Sequence, residues 1–319
     1  MEKKILWIVS FAVIIILWMK AGPSKDAVSP SAPVSKQGDE QNKVAPKKVE
    51  PKASQAADKA LTSKKVEKTH SNEEDVTEDE QNYFKSHPVN KGTPDFAAIT
   101  DVKTRKKAFF EFLTPFVNEK NTLILEDRKR LTTLLNKVDK LSQQDKQWIS
   151  KRRKDQRLDV LEKYTKEDIN ALLNRLDIIP VSLVLAQSAN ESAWGTSRFA
   201  TQGNNFFGQW CFRKGCGLVP ESRDSDADHE VRKFNDARES VFAYIDNLNT
   251  NAAYKKLRAI RLALREAQQT ITGLELVHGL EHYSERGQAY VDEIEGLINY
   301  NKLWRFNRNS EQTPSTEER

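Results

Sequence analysis

Cysteine and histidine are scarce in this chain, at two and five among 319 residues. Two thiols exclude a disulfide-dense scaffold and a four-cysteine zinc site, and five scattered histidines leave little for a His-rich metal centre. No G-x-G-x-x-G, no phosphate-loop lysine motif and no H-E-x-x-H occurs, so the commonest nucleotide and zinc-protease readings lose their support. No metal or organic cofactor is expected. Charge of one sign is lacking too. Lysine and arginine number 51 against 46 acids, a net charge of +5. That balance suits an anionic polymer or a membrane surface and requires no nucleic acid.

One long apolar run is present, ILWIVSFAVIIILWM at residues 5–19, interrupted by Ser10. As a helix it measures about 22 Å, shorter than the roughly 20 residues of a comfortable span. It reads as an inner-membrane anchor or as the core of a signal segment. Met19 stands where a peptidase prefers a small residue, which favours the uncleaved anchor. Lys3 and Lys4 then stay cytoplasmic and the rest is exported. The expected location is an anchored periplasmic domain, or a soluble periplasmic one after cleavage. Residues 21–90 hold six of the eleven prolines and two aromatics, Tyr83 and Phe84. Such a stretch buries too little apolar surface to offset its ordering entropy, so a disordered linker is expected. Its end-to-end distance would be roughly 45 Å.

Residues 91–309 read as one mainly helical domain, followed by a polar tail at 310–319. Phe109, Phe110, Leu113, Phe116 and Val117 recur at helical spacing, as do Leu123, Leu131, Leu134, Leu135, Val138 and Leu141. The basic run at 151–154 reads as a solvated helix face. Thr165 with Asp168, and Asp236 with Glu239, mark helix starts. Further helices are expected at 255–269, 274–282 and 285–299.

The best-marked helix starts at Pro180, is almost continuously apolar from Val181 to Ala189 and must stop near Gly195. Glu191 falls in its last turn. There a carboxylate meets the negative end of the helix dipole, and beside Trp194 it is partly desolvated. Both effects raise its pKa, as a general acid near neutral pH requires. Next comes Asn204-Asn205-Phe206-Phe207-Gly208-Gln209-Trp210. Amides interleaved with rings suit a sugar site, and a loop anchored in the core by Phe206 and Phe207 is the plain alternative. Trp194, Asn205, Phe207, Gln209 and Trp210 are the candidate sugar contacts. Residues 218–223 and 230–234 can pair as a hairpin across 224–228. Cys211 and Cys216 are expected to form a disulfide in an exported protein, with two thiols of a metal site as the lesser alternative.

The block AQSANESAWGTSRFA (186–200), followed by NNFFGQW (204–210), resembles the glucosaminidase domain of the glycoside hydrolase 73 type, in the lysozyme-like superfamily. Two further blocks, at 204–220 and 282–303, point to one bacterial branch of it. The resemblance covers roughly 170–303. It implies a lysozyme-like helical domain with a small β-hairpin lobe. The implied activity is hydrolysis of the β-1,4 bond between N-acetylglucosamine and N-acetylmuramic acid in peptidoglycan glycan strands. The catalytic glutamate of the family maps onto Glu191. Its second carboxylate lies on the lobe, where Glu221 matches the spacing and Glu230 competes. Tyr283 is the counterpart of a tyrosine facing the site, and Tyr254 of one that shapes the groove. A lytic transglycosylase uses the same glutamate and yields an anhydro sugar. A non-catalytic wall-binding scaffold on the same fold is the other alternative.

Overall fold

The computed structural model describes residues 76–220 and 229–309. The apolar run at 5–19, most of the expected linker, the tail and Glu221 lie outside them. Among the described residues no helix is long and apolar enough to cross a membrane.

The described chain is mainly helical, as expected. Helices α1 (Glu78–Ser86), α2 (Val102–Leu135), α3 (Gln143–Asp155), α4 (Lys166–Arg175), α5 (Val181–Glu191) and α6 (Arg198–Gly203) come first. Strands β1 (Trp210–Cys211), β2 (Gly217–Leu218) and β3 (Glu230–Arg232) form a small antiparallel sheet in the order β1-β3-β2. Helices α7 (Ala237–Thr250), α8 (Lys255–Glu266), α9 (Gly273–Leu276) and α10 (Gln288–Tyr300) follow, then a 3-10 segment at Leu303–Asn309. Asp101, Ser142, Thr165, Ser197, Asp236 and Thr272 cap their helices by accepting backbone N–H groups, which satisfies donors that helix geometry leaves open.

Helix α5 is the axis of the fold. Every residue from Val181 to Ala189 is buried. Helices α2, α9 and α10 and the Leu303–Asn309 segment all pack on it. Its neighbour α2 joins the first apolar repeat and the second as far as Leu135 into one helix of 34 residues that runs through Pro115, with Val138 and Leu141 beyond its end; it is about 51 Å long.

The approach to α5 is clamped by buried polar groups. Asn121 donates to the Ile179 carbonyl (2.9 Å) and accepts from its N–H (3.2 Å). The Asp177 carboxylate meets Arg265 at 2.8 Å, Arg128 at 3.3 Å and Arg261 at 3.8 Å. Burial pushes this carboxyl up, and the guanidiniums outweigh that and hold it below the usual range. The buried Arg261 also donates to the carbonyls of Asn174, Asp177 and Ile178.

Several expectations are corrected here. The linker does not extend to residue 90, because α1 lies inside it and is docked on the domain. Glu80 closes a capping box with Thr77 and pairs with the buried Lys120, which also binds Asp246 at 2.8 Å. The basic run at 151–154 is a solvated face only in part: Lys151 and Lys154 are exposed, but Asp79 pairs with Lys151 and Arg152, and Arg153 is buried and donates to the carbonyls of Asp159 and Asp168. Tyr83 donates to Glu119 (2.9 Å) and Phe84 meets Phe242 edge-on at 5.2 Å. The lobe has a third strand, since Trp210 and Cys211 pair with Val231 and Glu230. The helix expected at 274–282 is one four-residue turn, Gly273–Leu276, continued by a 3-10 turn.

A chain beginning at residue 91 therefore loses α1 and uncovers Phe242. We expect it to be less stable than one beginning at 76 by about 2 kcal/mol, the scale for uncovering one aromatic side chain. Urea unfolding of the two measures this, and superimposable curves would show that α1 adds nothing to the domain.

Candidate active site

Glu191 is the last residue of α5, where the sequence places it. Behind it the chain turns left-handed at Ala193, Trp194 and Gly195, with φ of 49°, 61° and 78°. Ser192 ties this turn off: its hydroxyl donates to the Ser188 carbonyl (2.6 Å) and accepts from the Gly195 N–H (2.8 Å). Gly195 is needed twice over. Its φ disfavours a side chain, and a Cβ there would stand 2.4 Å from the buried Phe96 ring.

The Glu191 side chain is partly buried and faces four tyrosines. Tyr290, on α10, donates to Glu191 Oε1 at 2.8 Å. Gln187, one turn earlier on α5, donates from Nε2 to the Tyr290 hydroxyl at 2.8 Å. Tyr244, on α7, donates to Gln187 Oε1. Tyr283 stacks on Tyr290 with centroids 5.4 Å apart, and its hydroxyl donates to the Phe207 carbonyl at 3.1 Å. Tyr254 sits beside Tyr283 with centroids 6.0 Å apart.

This setting fixes the protonation of the acid. Burial pushes the Glu191 carboxyl up to about 7, against the weaker opposing pull of Tyr290, Asn190 and Arg286. Burial and the Glu191 charge push the Tyr244, Tyr283 and Tyr290 hydroxyls well up, and burial pushes Tyr254 up to about 12. The tyrosines are thus neutral donors, and the carboxyl is the group that titrates near neutral pH.

The other sequence candidates divide. Tyr254 and Tyr283 are brought to Glu191, as expected. Asn205 and Phe207 are buried and hold the loop, which corrects their assignment as sugar contacts. Asn205 donates to the carbonyls of Gln209 and Arg232 and accepts from the N–H groups of Phe207 and Gln209, and Phe207 stacks on Tyr244 at 4.0 Å. Trp194 packs on Phe109 and Phe110, under the Lys106 ammonium at 4.3 Å. Gln209 and Trp210 line a cavity of about 600 Å³ that Glu191 does not line. Trp210 stacks on His229 at 4.1 Å. The Cys211 and Cys216 sulfurs are 1.96 Å apart. Glu230, the competing second carboxylate, accepts the N–H groups of Gly215 and Gly217, each at 2.8 Å, and so pins the loop between them. Glu221 lies outside the described residues.

Sequence reasoning missed Gln187, Tyr244 and Tyr290 as site residues. Gln187 stands four residues before Glu191 in an apolar helix, so one face carries both; that spacing was the available signal.

Comparison with known proteins gives the family of the chain. Residues 166–303, which span α4 to α10, match the glucosaminidase family model, described as mannosyl-glycoprotein endo-beta-N-acetylglucosaminidase. Protein bax of Escherichia coli (strain K12) is 31% identical over 230 residues, covering 70% of this chain and 79% of that protein. The chain belongs to the Bax-like glucosaminidase family. No solved structure matches it. The family is one of glycoside and peptidoglycan hydrolases, and the matched segment carries Glu191, the lobe and all four tyrosines.

Two outcomes follow from this geometry. Gly195→Ala is expected to lower stability by about 2–5 kcal/mol, through the left-handed backbone and overpacking against Phe96; a denaturant midpoint equal to wild type would contradict it. Glu191 supplies a pH test. Its folded-state pKa, about 7, lies above the ordinary 4.5. Between those values the native state keeps a proton that the unfolded state has lost, so stability falls as pH rises through this window. Glu191→Gln removes that loss. Its stability relative to wild type should improve by on the order of 3 kcal/mol from pH 4.5 to pH 8. A difference that stays constant with pH would mean that Glu191 titrates normally.

Proposed function

We propose that this protein is a peptidoglycan hydrolase, an endo-β-N-acetylglucosaminidase that cleaves between N-acetylglucosamine and N-acetylmuramic acid. The observation that carries the reading is a carboxyl group at the end of a buried helix, protonated near neutral pH and held by a neutral tyrosine, inside the family-matched segment. Glu191 is the general acid. It gives its proton to the glycosidic oxygen as the bond to C1 breaks and positive charge grows on the sugar ring. Water then adds at C1, and its proton passes to a base, a role we assign to Glu221. The substrate's own acetamido group is the alternative partner at C1, with Tyr283 orienting it. Residues 5–19 anchor the domain to the inner membrane in this reading, and the linker sets its reach towards the wall.

Purified peptidoglycan digested with the detergent-solubilised full chain, with Glu191→Gln beside it, tests the proposal. We expect hydrated fragments ending in reducing N-acetylglucosamine from wild type, and a loss of about 10²-fold or more in the variant, the lower scale of a general acid's contribution. Anhydro-muramyl ends, lighter by one water, would replace hydrolysis with lytic transglycosylation. Binding to the wall with no release from wild type would leave only a scaffold role.

A further inference from the structure

Behind the Glu191 carboxyl runs a chain of three hydrogen bonds with one direction. An amide oxygen can only accept and an amide nitrogen can only donate, so the Tyr244 hydroxyl gives its proton to Gln187 Oε1, and Gln187 Nε2 gives one to the Tyr290 oxygen. The Tyr290 oxygen is then occupied as an acceptor, and its single proton is aimed at Glu191 Oε1, 2.8 Å away. Gln187, Tyr244 and Tyr290 are each 1% exposed or less, so water does not compete for these bonds. We propose that Tyr244 and Gln187 act through Tyr290 as positioning residues that commit Glu191 Oε1 to accepting a hydrogen bond, leaving Oε2 as the oxygen that carries and delivers the proton.

The reverse direction fails chemically. With the amide turned round, the Tyr290 proton would go to Gln187, and its lone pair would face Glu191. That arrangement suits the protonated acid, whose Oε1–H would then point at tyrosine rather than at substrate. Once the proton has been transferred, the carboxylate would face a lone pair. The observed direction serves the acid before transfer and the carboxylate after it. Helix α5 carries Gln187 and Glu191 one turn apart, α7 carries Tyr244 and α10 carries Tyr290, so three helices hold the chain, one bond joining α7 to α5 and two joining α5 to α10. A chain of such bonds in a dry interior strengthens each of its members.

The proposal rests on Glu191 being the acid of the proposed reaction, but its test does not need substrate. The Glu191 carboxyl is followed by infrared titration of its C=O stretch in the folded protein, with Glu191→Gln identifying the band. The other groups acting on this carboxyl are Arg286, Glu293, Asn190, Tyr254 and Tyr283, and all are retained. Tyr290→Phe removes one oxygen and leaves the ring stack with Tyr283. Because Tyr290 donates to the charged form, its loss is expected to raise the midpoint, by about one pH unit on the scale of a hydrogen bond to a charge. Tyr244→Phe and Gln187→Met, whose hydrogen bonds reach Glu191 through Tyr290, should raise it by smaller amounts in the same sense. On peptidoglycan, the alkaline limb of kcat should move by the same intervals. A lowered midpoint in Tyr290→Phe would show the chain running the other way. An unchanged midpoint in folded Tyr244→Phe and Gln187→Met would show both to be packing residues only. If wild type titrates as expected but releases nothing from peptidoglycan, the chain of bonds stands and the proposed reaction falls.

Discussion

A helix with no solvent face sets the terms for this domain. Each polar group on α5 must find a protein partner, because an unpaired one in a dry interior is costly. Ser182 meets Asn307, Ser188 turns back to the Leu185 carbonyl, and Gln187 is held between two tyrosines. The same burial acts on Glu191 at the end of the helix. Its charged form gains little there, so the carboxyl keeps its proton to near neutral pH. The protonated acid is thus a consequence of where the helix sits, and the Asn121 and Asp177 clamps on the approach to α5 are what fix that position.

The sequence made the axis legible and hid its surroundings. An apolar run bounded by Pro180 and Gly195 marks α5 and places Glu191 in its last turn without any tertiary information. The groups that tune Glu191 come from three separate segments, and only Tyr254 and Tyr283 were indicated, by resemblance. Tyr244 and Gln187 look like ordinary interior residues, since nothing in the local pattern says that their polar ends meet. Asn205 and Phe207 misled for a related reason. An amide and a ring suit a sugar, but they equally suit a loop that must satisfy its own backbone, and burial decides for the loop. Helix α1 escaped notice because it has no buried residue. It docks through two rings and the charges of Asp79 and Glu80, features that a composition average reads as linker.

The lobe shows the same limit at smaller scale. Strands of two and three residues are too short for alternation to register. Their pairing depends instead on Glu230, whose carboxylate gathers the backbone of the loop that Cys211 and Cys216 close. A carboxylate with both oxygens bound to N–H groups is a structural anchor.

These features divide the work of the fold in a consistent way. Charged groups that must stay charged are met by opposite charge, Asp177 by three guanidiniums and Lys120 by Glu80, while burial and Glu80 push the neighbouring Asp246 carboxyl up to about 8. Glu191 is left with a neutral tyrosine donor, and the Arg286 guanidinium that acts on it is itself paired with Glu293. An acid so placed weakens the folded state above neutral pH, whereas pairing it with a nearby arginine would have stabilised the fold and ionised the acid. The surrounding tyrosines resolve that conflict: they give the carboxylate a hydrogen bond after it has lost its proton, yet add no positive charge that would take the proton away beforehand.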